Sequence, residues 1–284
     1  MWAFIRNLSA AKFFSAAKAG NLQGTPPYTF GAIFALETEA GADATIFGDL
    51  DPGTDGFGIR IGTPPTNQVR IHDGTILRVS GSDLDDGTAV ADADNTAYAA
   101  NDADLVNKIK GYMDPGDNPG GGGGTTPTHS WPSPRKGQLL YVACSVVGGA
   151  NVDVFCNGKI VASVAEANVP NAAPVRIGLT PAGADASGTI NIAGCFYHPG
   201  AMAQNALTDH MVQCQRAKDL VPLVAEAPFI GFVWSVKQAR LHDGRTNWAS
   251  VGTEPSINMA LTGTLDAAGA NSDLIARDFP WMTV

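Results

Sequence analysis

Short apolar segments separated by turns follow one another about every ten residues, and this spacing limits the chain to a few β architectures. Residues 28–36 are apolar enough for a strand that is covered on both sides. Residues 56–62 alternate, which places Phe57, Ile59 and Ile61 on one face of a strand. Asp73-Gly74 is a tight-turn dipeptide and predicts a hairpin. The sequence therefore predicts a mainly β protein, a sandwich or a barrel.

The first 24 residues follow a different pattern. Trp2, Ile5 and Leu8 recur at helical spacing, which predicts a short amphipathic helix. This segment either packs on its own domain or forms an arm that docks on a partner subunit, so these three residues are candidate assembly contacts. A cleaved signal peptide is the third alternative, although Arg6 and Lys12 interrupt its apolar stretch.

Residues 81–137 predict a long inserted surface loop. The stretch is acidic and alanine-rich at first, then rich in Gly, Pro and Thr, with five consecutive glycines from Gly120 to Gly124. So few apolar groups cannot offset the entropy of ordering such a segment. Trp131 is the bulky aromatic residue near its end and is therefore a candidate ligand contact.

Residues 139–162 predict a β-hairpin around Gly148-Gly149-Ala150-Asn151. If Gly148 faces Val152, then Cys144 faces Cys156, and the alternate residues of both strands share one apolar face. Facing cysteines are able to form a disulfide only in a demanding geometry. The four cysteines, which fit no zinc spacing, are expected to be reduced and buried.

A helix is predicted over residues 205–217, with Thr208 as its N-cap and Met211, Val212 and Cys214 on its apolar face. Beyond residue 222 the pattern is again β-like. The chain ends in a segment that is unusually apolar for a free terminus and contains Phe279 and Trp281. These two residues either pack in the core of their own chain or dock on a neighbouring subunit.

Several segments of the second half occur in a characteristic order. They are the hairpin ending in Asn157-Gly158-Lys159, the strand 175–178, the closing strand 188–197 and the helix that contains Leu207 and His210. Together they resemble the laminin G-like / concanavalin A-like lectin family over residues 28–218. The resemblance implies an antiparallel jelly-roll β-sandwich at 25–222, interrupted by the insertion at 81–137. Residues 1–24 form a terminal arm or helix, and 223–284 a β extension and tail.

The resemblance also bears on metals and catalysis. Many relatives bind calcium through aspartates at the rim, whereas solvated loop acids are the simpler interpretation here, so no cofactor is predicted and calcium is the alternative. Some relatives hydrolyse glycans with a Glu-x-Asp-x-x-Glu pattern, of which Glu37-Thr38-Glu39 keeps only two carboxylates. We therefore expect no catalytic, metal or cofactor-binding residues. The acidic candidates for calcium are Asp43, Asp49, Asp51, Asp55, Asp83, Asp85 and Asp86.

The charge of the chain limits its partners. A net charge of −9 and an isoelectric point near 4.9 disfavour nucleic acid and anionic membranes. No apolar run approaches the roughly 20 residues that a membrane-spanning helix needs. Charged residues make up only 16% of the chain. Either the surface is partly covered by other copies or a larger assembly, or it exposes single apolar residues, as is normal for soluble proteins.

These observations predict a non-enzymatic structural protein of a virion, with a lectin-like body that contacts other virion proteins, copies of itself or surface glycans. Laminin G-like modules recur in bacteriophage virion proteins, where such a chain decorates the capsid or forms part of a fibre or tail. The alternatives are a soluble carbohydrate-binding module, which is secreted, and a divergent glycoside hydrolase.

Overall fold

The computed structural model describes residues 1–35, 44–49, 56–61, 69–73, 79–80, 112–113, 138–147, 151–165, 172–184, 186–188, 190–221, 231–241, 245–252, 254–266 and 272–281. Nearly all regular structure in these residues is antiparallel β, as predicted. The helices are α1 (Gln204–Ala217) and the short α2 (Val236–Ala239). The strands are β1 (Trp2–Ile5), β2 (Phe13–Ala16), β3 (Tyr28–Ala35), β4 (Ala44–Gly48), β5 (Phe57–Ile61), β6 (Val69–Asp73), β7 (Val79–Ser80), β8 (Tyr112–Met113), β9 (Leu139–Val147), β10 (Asn151–Cys156), β11 (Lys159–Ala165), β12 (Val175–Ile177), β13 (Asn191–His198), β14 (Phe232–Ser235), β15 (Asn247–Ala249), β16 (Asn258–Thr262) and β17 (Leu274–Arg277).

Two antiparallel sheets form the body of the protein. In the first sheet the strands lie in the order β11-β10-β9-β3-β13-β1-β17, and β14 also pairs with β13. In the second sheet the order is β15-β16-β2-β12-β4-β5-β6. Both sheets combine strands from the two ends of the chain, since β17 pairs with β1 and β16 pairs with β2. The strands after residue 222, β14 to β17, are therefore integral to the two layers.

The core between the sheets is aromatic. The ring centroids of Phe30 and Phe57 are 4.9 Å apart, and those of Phe47 and Trp234 are 5.7 Å apart. All four side chains are fully buried. Burial of such large apolar side chains is the main term that holds two β layers together. The β-sandwich predicted from the sequence is confirmed, and its jelly-roll connectivity stays a prediction.

The first sheet is also covered on its outer face. Every residue of β3 is buried, as predicted from the dense apolar run. Phe34 belongs to the core between the sheets, whereas its neighbours Ile33 and Ala35 belong to a second apolar cluster. Residues of α1 such as Leu207 and Cys214 lie in that second cluster. The helix therefore forms a third layer on the outside of this sheet.

The helix predicted near the N-terminus is wrong, because residues 2–5 and 13–16 are strands. In β1, Trp2 and Phe4 join the outer cluster, while Ile5 joins the core between the sheets. A strand that is covered on both faces has apolar residues at almost every position, and part of that run matches helical spacing. Pairing of β1 with β13 and β17 decides the conformation.

The hairpin between β9 and β10 forms, but its register differs from the prediction. Val147 pairs with Asn151, and Cys144 faces Val154. The shift of two residues keeps the same side chains on the apolar face, since side chains alternate with a period of two. The predicted pairing of Cys144 with Cys156 across the two strands is therefore wrong, because Cys156 pairs with Val142. All four cysteines are buried as free thiols.

The helix α1 begins earlier than predicted, at Gln204, with Ala203 as its N-cap residue. Thr208 is therefore not the cap. Its hydroxyl donates a hydrogen bond to the carbonyl oxygen of Gln204, 2.8 Å away. Such a bond to the preceding turn is common for threonine within a helix. Neither helix in the described ranges has both the length and the hydropathy needed to cross a lipid bilayer.

Candidate functional site

A groove lies where the end of α1 meets residues 278–281, which we call the C-terminal segment. Its volume is about 520 Å³, which is within the usual size of small-molecule sites. Four of its lining residues are aromatic or apolar and three are polar. The lining residues are Trp2, Gln215, Lys218, Asp278, Phe279, Pro280 and Trp281.

The aromatic wall of the groove depends on contacts between the two ends of the chain. The ring of Trp281 meets the ring of Trp2 edge to face, with centroids 5.6 Å apart. Phe279 meets Phe4 in the same way at 5.3 Å. Edge-to-face packing is a preferred geometry of aromatic pairs. Trp2 is buried, whereas Trp281 and Phe279 are half-buried, so part of each of the latter two side chains is exposed.

Backbone pairing fixes the C-terminal segment in place. The backbone N–H of Leu139 donates to the carbonyl oxygen of Pro280 at 2.8 Å. Leu139 also forms a parallel bridge with Trp281. Because Leu139 begins a central strand of the first sheet, the segment continues the β structure beside β9. Trp281 is therefore held by both backbone and side-chain contacts.

An ion pair forms the polar rim of the groove. The Nζ atom of Lys218 lies 3.1 Å from Oδ1 of Asp278, and the side chains are 48% and 53% exposed. The amine of Met1 lies 3.4 Å from the same oxygen. The hydrogen bond from Lys218 lowers the pKa of Asp278, so this carboxyl stays ionised to a lower pH than an isolated aspartate. Gln215, one turn before Lys218 on α1, adds an amide to the rim.

Lys218 occupies this position because of how α1 ends. It is the C-cap residue, with a left-handed backbone at φ 49° and ψ 49°. Its backbone N–H donates to carbonyl oxygens of the last turn, which satisfies groups that a helix end leaves without partners. The helix ends there, and the Lys218 side chain meets Asp278.

A second polar cluster lies under α1 and is closed to solvent. Nδ1 of His210 is 2.7 Å from the hydroxyl of Tyr141, and Sγ of Cys214 is 3.5 Å from Nε2. Burial lowers the pKa of His210 to about 4 and raises the pKa of the Cys214 thiol to about 12. A nucleophilic cysteine needs the opposite shifts, because its thiolate forms when a nearby histidine is protonated. This cluster therefore acts in packing.

The candidate calcium ligands fall mostly outside the described residues. Asp49 is described, and its buried carboxylate forms an ion pair with the ammonium of Lys18. It also accepts a hydrogen bond from the backbone N–H of Phe57 at 2.7 Å. A lysine therefore already provides the positive charge that Asp49 requires. Within the described ranges, no three His, Cys, Asp or Glu side chains are grouped as a metal ion would need.

The predicted assembly contacts lie within the chain itself. Trp2, Ile5 and Leu8 are 2%, 0% and 1% exposed, so they are buried against other parts of the same chain. Phe279 and Trp281 also pack on their own chain but keep part of their surface exposed. Trp131 and the pair Glu37 and Glu39 lie outside the described residues. The sequence interpretation did not identify Gln215, Lys218 or Asp278.

Comparisons with known proteins show the fold. No family model matches the chain, and no curated protein matches its sequence. Among solved structures, a protein of Bacteroides ovatus described as a candidate carbohydrate-binding protein matches 99% of this chain at 12% identity, with a TM-score of 0.54. The chain spans 62% of the length of that protein.

Two further structures are less similar. The binding domain of Paraclostridial Mosquitocidal Protein 1 matches 72% of this chain and 41% of its own at 10% identity, with a TM-score of 0.41. The sialidase of Trypanosoma rangeli matches 64% of this chain and 22% of its own at 13% identity, with a TM-score of 0.34. At these TM-scores the likeness is too low to establish a shared fold. The likeness to the Bacteroides protein supports the β-sandwich fold.

Proposed function

We propose that this chain is a non-enzymatic carbohydrate-binding protein and that the groove at the C-terminal segment is its binding site. The observation that carries the proposal is the position of Trp281, a half-buried aromatic ring beside the Lys218–Asp278 ion pair. The fold likeness to a candidate carbohydrate-binding protein supports the same class of function.

The two halves of the groove suit the two sides of a sugar. One face of a pyranose ring carries mainly C–H groups and packs well against the electron-rich face of an aromatic ring. The hydroxyl groups at its edge need hydrogen-bond donors and acceptors, which Lys218, Asp278 and Gln215 supply. Sites of this type hold a ligand by a few polar contacts and an apolar wall.

Binding without catalysis fits the groups that line the groove. Among the described residues that line the groove, Asp278 is the one carboxylate, whereas hydrolysis of a glycosidic bond generally requires a pair of carboxylates. Its pKa is lowered, which is the wrong direction for a residue that must donate a proton near neutral pH. The groove is therefore suited to hold a sugar rather than to cleave one.

A glycan array compares Trp281, which lines the groove, with Trp131, the ligand contact predicted from the sequence. We expect the wild-type protein to bind a set of glycans and the Trp281→Ala variant to lose that binding. The Trp131→Ala variant should bind as the wild type does. Thermal unfolding of each variant checks that the fold persists. Binding that survives in Trp281→Ala and disappears in Trp131→Ala would place the site in the long loop instead.

For the biological setting, we propose a structural component of a virion, such as a capsid decoration, fibre or tail protein with a laminin G-like body. The resemblance stated from the sequence and the low fraction of charged residues, 16%, support this setting. The groove would then attach the particle to surface glycans or to another subunit. The alternative setting is a secreted, soluble module.

Sedimentation velocity separates the two settings. A virion component that contacts copies of itself should form a defined oligomer at micromolar concentration. A strictly monomeric chain at all concentrations, which still binds glycans, would favour the secreted module.

A further inference from the structure

We infer that the groove recognises an uncharged sugar through two neighbouring hydroxyl groups, one bound to Asp278 and the other to Lys218. This inference rests on the proposed function and specifies the ligand class of the same site. The supporting observation is the ion pair at the rim of the groove. Nζ of Lys218 lies 3.1 Å from Oδ1 of Asp278, and both side chains are about half exposed.

A hydroxyl group is both a donor and an acceptor of hydrogen bonds, and this matches the ion pair. The carboxylate of Asp278 only accepts, whereas the ammonium of Lys218 only donates. Two adjacent hydroxyls of a sugar ring are able to donate to the first and accept from the second at the same time. Hydrogen bonds to charged partners are stronger than those between neutral groups, so a single ion pair selects a diol effectively.

The charge balance at the rim favours an uncharged ligand. The side chains of Lys218 and Asp278 carry opposite charges 3.1 Å apart, so this pair has no net charge. Neither side chain therefore requires a charge from the ligand. The carboxylate of an acidic sugar bound to Lys218 would also lie close to Asp278, and like charges at such a distance repel. A neutral sugar avoids this repulsion.

The aromatic residues complete the assignment of the ligand class. Trp281 and Phe279 lie in the same lining as the ion pair, so a ring held by its hydroxyls at the rim has an apolar wall beside it. Gln215 lies in the last turn of α1, three residues before Lys218, and provides a donor and an acceptor for a further hydroxyl.

The test uses the full chain on an array that contains neutral, sialylated, uronate-containing and sulfated glycans. We expect the bound glycans to be neutral. Calorimetry with the strongest neutral glycan should show that Asp278→Asn and Lys218→Met each weaken binding about tenfold or more. Arg216→Ala is the matched control, because Arg216 is exposed on the same helix and does not line the groove. It should bind as the wild type does.

Two results would overturn the inference, and they are distinguishable. If only acidic glycans bind, and Asp278→Asn strengthens their binding while Lys218→Met abolishes it, the site exists but its ligand class is wrong. If no glycan of any class binds to a folded protein, the proposed function itself fails. Thermal unfolding of both variants ensures that loss of binding is not loss of fold.

Discussion

The hydroxyl of Tyr141 donates a hydrogen bond to Nδ1 of His210, 2.7 Å away, beneath helix α1. The direction follows from the other ring nitrogen, because Nε2 lies 2.6 Å from the carbonyl oxygen of Val221, which is able only to accept. The ring therefore carries its proton on Nε2 and is neutral. This contact joins α1 to strand β9 of the first sheet and keeps the outer layer in place.

Acid should destabilise the protein through His210. Burial lowers the pKa of this ring from 6.5 to about 4, so the unfolded chain binds the proton more tightly than the folded protein. The contribution of His210 to the free energy of unfolding is complete above about pH 6.5, falls as the pH drops and stops falling near pH 4. The loss amounts to about 3 kcal/mol. Urea unfolding at several pH values measures it.

Replacement of His210 provides the control for the acid effect. In His210→Gln the titrating group is absent, so the fall in stability between pH 6.5 and 4 should be smaller than in the wild type by about the amount that His210 contributes. An equally steep fall in both proteins would show that other groups cause it.

Loss of the Lys18 charge should destabilise the fold strongly. Lys18 and Asp49 form an ion pair in which the two side chains are only 7% and 0% exposed. Lys18→Met leaves the Asp49 carboxylate buried without its cation, which typically costs about 3–5 kcal/mol. Adding Asp49→Asn removes the buried charge and should restore part of the loss. Chemical unfolding of both variants measures the difference. Equal stabilities of the single and double variants would contradict the role of this ion pair.

Two glycines test whether Leu8 packs inside its own chain. Gly178 and Gly183 both have a left-handed backbone, with φ of 88° and 85°. A Cβ atom at Gly178 would lie 2.7 Å from Cβ of Leu8, whereas one at Gly183 has open space around it. Both replacements by alanine strain the backbone at a cost of about 1 kcal/mol. Gly178→Ala should cost about 1–3 kcal/mol more, because it overpacks the core.

The midpoints of urea unfolding of Gly178→Ala and Gly183→Ala, compared at a constant m-value, give the difference in their free energies of unfolding. Equal destabilisation by the two alanines would mean that Leu8 is not packed against Gly178 in solution. Leu8 would then be available to contact another subunit, as its position near the N-terminus first indicated.

The sequence was informative where one physical signal dominated. The apolar density of residues 28–36 correctly predicted a strand with both faces covered, and strict alternation placed Phe57 and Ile59 on one face. The same density misled in β1, where strand and helix patterns overlap when both faces are buried. The register of the β9–β10 hairpin was predicted wrongly, because a shift of two residues leaves the apolar alternation of both strands unchanged.

The groove could not be predicted from local patterns. Lys218 lies at the end of α1 and Asp278 in the C-terminal segment, 60 residues later, and only the folding of the sheet brings them together. The apolar character of Phe279 and Trp281 was visible in the sequence, and it left open whether they pack within the chain. In the structure Phe279 packs on Phe4 and Trp281 on Trp2, and a role of these residues in contacts between subunits stays a prediction.

The central claim, that a sugar binds beside Trp281, is tested most directly by the indole N–H resonance of that residue in a two-dimensional NMR spectrum. Its absence from the spectrum of Trp281→Phe assigns it among the five tryptophans. We predict that a bound neutral glycan shifts this resonance in a saturable way, with the affinity measured by calorimetry, while the Trp131 resonance stays unchanged. A glycan that binds with the same affinity and leaves the Trp281 resonance unmoved would contradict the account.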